Sequence, residues 1–226
     1  MRAETKRKRD RKGDKKSGPS KLLINKIHPG EYIPLQELVT IRGVPIRIPS
    51  KKQLVHLQFR RFAGCPVCNL HLQTYVRRYR DIVSAGIQEV VIFHSSVDDL
   101  LVYADKLPFA VVADPNKLLY TKFGVESSPK ALLNPRAWWP ILRAVLHSVG
   151  EIIQKQSVVP PVNPDGGSFG LPADFLIDKD GWLIDCKYGE HADDQWSVNE
   201  LLHIVQESVA PDYSNWSRAN SSLKIT

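Results

Sequence analysis

Two cysteines three positions apart, Cys65 and Cys68, with Pro66 and Val67 between them, are the residues of this chain best placed to do chemistry. A thiolate attacks peroxides and disulfides, but an ordinary thiol titrating near ~8.5 is mostly protonated at neutral pH. A reactive cysteine therefore needs surroundings that lower that value. The first turn of a helix supplies them through its unpaired backbone N–H groups and the positive end of its dipole. A second thiol one turn later can close a disulfide with the first with little backbone movement, which makes the oxidation reversible. Arg60 and Arg61 lie just upstream, and because side chains alternate along a strand only one of them faces the pair. Arg61 is the expected one.

A pair of this spacing supplies half of a tetrahedral zinc site, yet no second pair and no HxxxH follows; His71 is near and Cys186 is distant. Haem attachment needs a histidine directly after the second cysteine, where Asn69 stands. No cofactor and no metal are expected. Cys186 reads as a core or edge residue of a strand rather than a resolving thiol. His191, Asp193, Asp194 and Trp196 form a polar cluster that a turn with capping acids explains.

The elements that must position the pair follow from periodicity. Gln53–Phe59 puts Val55, Leu57 and Phe59 on one face and predicts a strand ending just before Cys65. From Cys68 onward Leu72, Tyr75, Val76, Tyr79, Ile82 and Val83 recur at three and four, a helical stripe that stops at Gly86. Val90–Phe93 is a continuous apolar run, as a strand buried on both faces requires. Ser95 or Ser96 then caps a helix with Asp98 and Asp99 in its first turn. Ala110–Ala113 predicts a third short strand, with Asp114 as cap and Pro115 as first residue of a brief helix ending at Gly124. The alternation implies parallel pairing.

Upstream, Leu38–Ile41 and Val44–Ile48 flank Arg42-Gly43 as a hairpin. Downstream, Ala173–Asp178 and Trp182–Tyr188 form a second hairpin around Lys179-Asp180-Gly181. Ser197 and Glu200 make a capping box ahead of Val198, Leu201, Leu202 and Val205. Residues 126–170 break this rhythm and read as an insertion: an amphipathic helix around Trp138, Ile141, Leu142 and Val145, then a long loop rich in Pro and Gly.

The 226 residues suit one domain with additions. No apolar run approaches the ~20 residues that cross a bilayer, so no membrane partner is expected. The net charge of +7 is concentrated: residues 2–21 hold ten Lys or Arg against Glu4, Asp10 and Asp14, which equals the whole imbalance. Residues 1–21 are expected to be a disordered basic tail, and nucleic acid contact is expected only through it. Residues 22–209 form the domain and 210–226 a flexible tail. Three cysteines without a structural disulfide pattern, and no apolar segment behind the basic start, point to a cytoplasmic location, or a nuclear one if the tail acts as a signal.

Several segments together resemble the peroxiredoxin-like branch of the alkyl hydroperoxide reductase/thiol-specific antioxidant (AhpC/TSA) family within the thioredoxin superfamily. They are Phe59-Arg-Arg-Phe-Ala-Gly-Cys-Pro-Val-Cys-Asn-Leu-His-Leu72, Ala113-Asp114-Pro115 with Phe123-Gly124-Val125, Leu171-Pro-Ala-Asp-Phe-Leu-Ile-Asp178 and Gly189-Glu-His-Ala-Asp-Asp-Gln-Trp196. The resemblance implies an α/β thioredoxin-like fold, a central mixed sheet flanked by helices, carrying the N-terminal hairpin and the helical insertion. It also implies antioxidant oxidoreductase activity on a peroxide or a protein disulfide, with a thiol reductant such as thioredoxin or glutathione. Pro172 falls where the thioredoxin fold places a cis proline opposite the cysteine pair. The family's Pro-x-x-x-Thr-x-x-Cys pattern is not met: Gln58 and Phe62 stand in those places before Cys65, and Arg61 and Cys65 before Cys68. Thioredoxins attack with the first cysteine and peroxiredoxins with the one aligned to the second; the helix N-terminus favours Cys65 as nucleophile and Cys68 as resolving thiol. The rival readings are a non-enzymatic interaction protein using the basic tail and Trp138-Trp139-Pro140, and a zinc-bound module.

Overall fold

The computed structural model describes residues 25–125 and 170–209. The basic tail, the insertion up to residue 169 and the segment 210–226 lie outside them. The first elements are β1 (Gln36–Val39) and β2 (Pro45–Ile48), an antiparallel hairpin with Gln36 opposite Ile48. It begins two residues earlier than apolar content suggests, because Thr40 and Ile41 leave the strand for the turn, where Gly43 takes φ +76°. The hairpin is a sheet of its own, and the Ile41 N–H donates to the Val111 carbonyl at 2.9 Å.

The main sheet draws on the rest of the chain. β3 (Leu54–Arg60) leads into α1 (Pro66–Arg77) and α2 (Tyr79–Ser84), then β4 (Ile87–Phe93), α3 (Val97–Tyr103), β5 (Ala110–Ala113) and α4 (Leu118–Lys122). After the insertion come β6 (Ala173–Ile177), β7 (Leu183–Tyr188) and α5 (Val198–Val209). The strand order is β5-β4-β3-β6-β7, with β3, β4 and β5 parallel and β6 antiparallel to both β3 and β7. Asp178 closes the β6–β7 turn by accepting the Asp180, Gly181 and Trp182 N–H groups at 2.9, 2.7 and 2.8 Å.

Local rules hold where the signal is local. Ser96 is the cap of α3, accepting the Asp99 N–H at 3.2 Å, and Ser197 and Glu200 form the reciprocal capping box of α5. Two expectations are corrected. The stripe from Cys68 to Val83 is two helices, because Arg78 leaves helical geometry (φ −109°, ψ 18°) while its guanidinium bonds Asp81 and Asn199. Asp114 does not sit next to the helix it caps. Its carboxylate accepts the Leu118, Leu119 and Tyr120 N–H groups across a turn containing Lys117 at φ +56°, so Pro115 lies in the turn and not at the first helical position.

The two faces of the sheet differ in chemistry. Val55, Leu57 and Phe59 pack with Phe123, Phe175 and Ile177 in an apolar layer. On the α1 side, His56, Gln58 and Arg60 of β3, Glu89 of β4 and Asp174 of β6 are all buried and form one ladder. His56 Nδ1 lies 2.8 Å from Glu89 and its Nε2 3.3 Å from Asp174; Arg60 Nη2 donates to Asp174 at 2.7 Å and also to Gln58, which in turn donates to Glu89. Tyr75 of α1 and Trp196 stack on His56, each with ring centroids 5.7 Å away. Burial works against a charge on His56, but Glu89 and Asp174 overcome it and raise the imidazole to about 9, so His56 is a second buried cation beside Arg60 near neutrality.

The sign of the resulting pH dependence is fixed. A group raised from 6.5 to about 9 contributes its full stabilisation below pH 6.5 and loses it as pH rises through 9, on the order of 3 kcal/mol. We expect the urea midpoint to fall across that alkaline window and His56→Gln to flatten the slope. A wild-type midpoint that stays level from pH 6.5 to 9.5 would contradict the ladder's charge state.

Candidate active site

The turn between β3 and α1 brings the sequence-predicted residues together. Ala63 is anchored by its N–H donating to Ser95 Oγ at 2.8 Å, so the end of β4 holds the turn. Gly64 sits at φ +75° beneath Tyr103, whose ring carbons are 3.0–3.2 Å from where a Cβ would be, so a side chain there would be strained and would press on that ring. Cys65 follows as the cap residue of α1 with Pro66 at its first position, the arrangement that needs no N–H from the proline. Both thiols are buried, with Phe62, Val67 and part of Leu70 closing around them.

The two sulfurs are made unequal by what surrounds them. The Cys68 thiol donates to Cys65, and this bond does most to lower the Cys65 thiol from 9.0 to about 6. Burial opposes it, while the Arg61 charge and the Cys68 and Val67 N–H groups of the helix start add to it. Arg61 Nη1 is 3.7 Å from Cys65 Sγ, and its guanidinium lies over the Phe62 ring at 5.4 Å. The same bond to Cys65, with burial, pushes the Cys68 thiol well above its ordinary value. The shared bond thus pushes the two sulfurs apart, Cys65 toward thiolate and Cys68 toward thiol.

Arg60, the alternative to Arg61, points to the opposite side of the strand and into the ladder. The approach to β6 passes close by: a Cβ on Gly170 would lie 2.9 Å from His94 Nε2 and 3.5 Å from Arg61 Cγ. The Leu171–Pro172 peptide is trans, which corrects the expectation of a cis bond there; among the described residues the cis bond is Ile48–Pro49. Pro172 instead stacks against Gly189, accepting its N–H at 2.9 Å. Cys186 belongs to the apolar layer on the far face of the sheet from α1, with its thiol against the Ile27 carbonyl at 3.4 Å and raised to about 11 by burial and by Asp185. In the 189–196 cluster, Asp194 pairs with Lys187 at 2.9 Å, and the Trp196 N–H donates to Asp174 at 3.1 Å.

A cavity of about 360 Å³ lies at the other end of the sheet, between the hairpin, α2 and the starts of β4 and β5, and no cysteine lines it. Among the described residues, no three His, Cys, Asp or Glu side chains are arranged to hold a metal, and no helix is long and apolar enough to cross a membrane.

Three parallel strands, an antiparallel pair on one edge, and a cysteine pair at the first strand-to-helix turn define a thioredoxin-fold protein. The family model described as AhpC/TSA antioxidant enzyme matches residues 72–194, more than half of the sequence, and the chain belongs to that family. The matched stretch begins four residues after Cys68. No curated protein matches the chain. Among solved structures it is similar to peroxidoxin BcpB from Mycobacterium tuberculosis, at 15% identity and TM-score 0.57, over 82% of this chain and 99% of that one. A cysteine-to-serine mutant of peroxiredoxin 6 from Arenicola marina also has 15% identity and TM-score 0.57, over 80% and 72%. The reduced 2-Cys peroxiredoxin of Plasmodium vivax has 14% identity and TM-score 0.56, over 80% and 81%. At these identities the likeness is one of fold.

Proposed function

We propose that the chain is a thiol-dependent oxidoreductase that reduces a peroxide or a protein disulfide through Cys65 and Cys68, with a small or protein thiol such as glutathione or thioredoxin regenerating the pair. The observation that carries this reading is the inequality of the two sulfurs: Cys65, at the helix start beside Arg61, is lowered to about 6 while Cys68 behind it is raised. Cys65 thiolate attacks, giving a sulfenic acid with a peroxide or a mixed disulfide with a protein, and Cys68 displaces the bound group. Membership of an antioxidant family supports the peroxide arm; Phe62 and Cys65 in the places where the family pattern has threonine leave the disulfide arm equally open.

Mass mapping of the protein after mild peroxide, and separately after an alkyl disulfide, tests the scheme. The expected product is an intramolecular Cys65–Cys68 disulfide with Cys186 still a thiol. Oxidation that begins at Cys186, or two cysteines that stay reduced under both oxidants, would remove the reading.

A further inference from the structure

Protein interiors are packed to the density of organic crystals, so an opening wide enough for a small molecule needs a cause. Here the cause is the way the hairpin is attached. β1 and β2 are a sheet of their own, and where they meet β5 they are tied by the Ile41 N–H on the Val111 carbonyl. Arg42 adds a second tie, giving its Nε to Asp105 at 3.0 Å and its Nη2 to the Leu107 carbonyl at 3.4 Å. Between these bonds and α2 lies the cavity of about 360 Å³, a size within the range of small-molecule sites.

The lining is apolar both where the cavity is deep and where it opens. Ile41, Ile87, Phe109 and Val111 are buried, and the Tyr79 ring stands 5.8 Å from that of Phe109 at an angle of 56°. Val44, next to the hairpin turn, and Val83 of α2 also line it, yet they are 54% and 44% exposed. Apolar side chains that line a concavity and remain half in water are the surface an apolar ligand covers. Two charged residues take part in the lining, and they are not equally available. The Glu89 side chain has no exposed surface, and its carboxylate is taken up by His56 and Gln58. Arg42 is half-exposed, and its Nη1 has no hydrogen-bond partner among the described residues. The cavity thus offers an apolar body and one open cationic donor.

We infer that this cavity is a binding site for a small organic carboxylate with an apolar body. The carboxylate pairs with the Nη edge of Arg42, which Asp105 holds in place through Nε, and the body lies against Tyr79, Val83 and Phe109. Burial of the body supplies most of the affinity, because an ion pair at a half-exposed guanidinium is screened by water and salt. What the ion pair supplies is the choice of end group. The site lies at the opposite end of the sheet from the cysteines, and the inference does not rest on the redox reading.

Three probes that share one body and differ in the end group test it: 4-phenylbutyrate, 4-phenylbutan-1-ol and 4-phenylbutylamine. Each is titrated into the full chain and followed in 15N–1H correlation spectra. The expected result is that the carboxylate binds about tenfold more tightly than the amine, with the alcohol between them. It should shift the amides of Ile41, Val83, Ile87 and Phe109 and leave those of Cys65, Val67 and Cys68 in place. Arg42→Gln should bring the three probes within about twofold of one another without changing the alcohol's affinity, whereas Arg42→Lys should keep the order. Val83→Trp, on the exposed side of α2, fills the mouth and should weaken all three, with circular dichroism checking the fold. An amine that binds as tightly as the carboxylate, or a preference that survives Arg42→Gln, overturns the inference. So do shifts scattered away from the cavity, or a full chain that binds none of the probes at millimolar concentration.

Discussion

On the proposed function, Cys65→Ser should remove essentially all turnover of peroxide and disulfide, whereas Cys68→Ser should still consume one equivalent of oxidant and stop as a sulfenic acid or mixed disulfide. Stopped-flow oxidation followed by mass measurement distinguishes the two. The asymmetry follows from the site: the sulfur lowered to about 6 is mostly thiolate at pH 7, and its neighbour is not. A further consequence is readable in the same variants. Because the Cys68 thiol makes the largest contribution to lowering Cys65, alkylation of Cys65 by iodoacetamide should show a midpoint near pH 6 in the wild type and a higher one in Cys68→Ser. If neither serine variant slows either reaction, the enzymatic reading fails and the interaction-protein reading takes its place.

Asp174→Ala should be the most destabilising single change in the described chain, by about 3–5 kcal/mol in urea unfolding. It leaves Arg60 and protonated His56 facing each other without their shared acid, and the Trp196 N–H without its acceptor. Burial alone would raise the Asp174 carboxyl, yet Arg60 and His56 hold it well below the ordinary carboxylate range, which measures how strongly the ladder depends on that charge. Combining Asp174→Asn with Arg60→Met removes a cation and an anion together and should recover a large part of the loss, since a buried pair is costly to break and far less costly to replace whole. A double variant that loses as much as the sum of the singles would show that the two residues act independently.

The turn that carries the thiol pair and the helix that follows are legible because each signal is local. Ser96, the Ser197 and Glu200 box and the Cys65-Pro66 start declare themselves within four residues. Strand alternation says that one of Arg60 and Arg61 faces the pair, and the geometry puts Arg61 3.7 Å from Cys65. The ladder was not legible for the same reason of alternation. His56, Gln58 and Arg60 share the other face of the strand from Val55, Leu57 and Phe59, and nothing in the sequence says that α1 and Trp196 cover them or that Glu89 and Asp174 complete the charges. One sign is present: the strand-helix alternation implies a parallel sheet with helices on both faces, so three polar residues at alternate positions of a central strand demand partners on its neighbours. The Asp114 cap lies farther from its helix than the local pattern predicts because its carboxylate reaches N–H groups four to six residues ahead, beyond the two or three of an ordinary cap. The break at Arg78 was hidden because Tyr75, Tyr79 and Ile82 keep the helical period across it while contacts to α5 decide the backbone.

The Ile41 bond to Val111 has a bearing on how this protein behaves at high concentration. β5 is the outer strand of the sheet and only four residues long, and the hairpin's turn already occupies its exposed carbonyl row at that point. At the opposite margin, Leu183 of β7 exchanges bonds with Gly30 and Glu31, which lie along the strand's start. A short outer strand whose row is already engaged at one margin, and an outer strand engaged at its first residue at the other, shorten the rows of donors and acceptors on which a second sheet could nucleate.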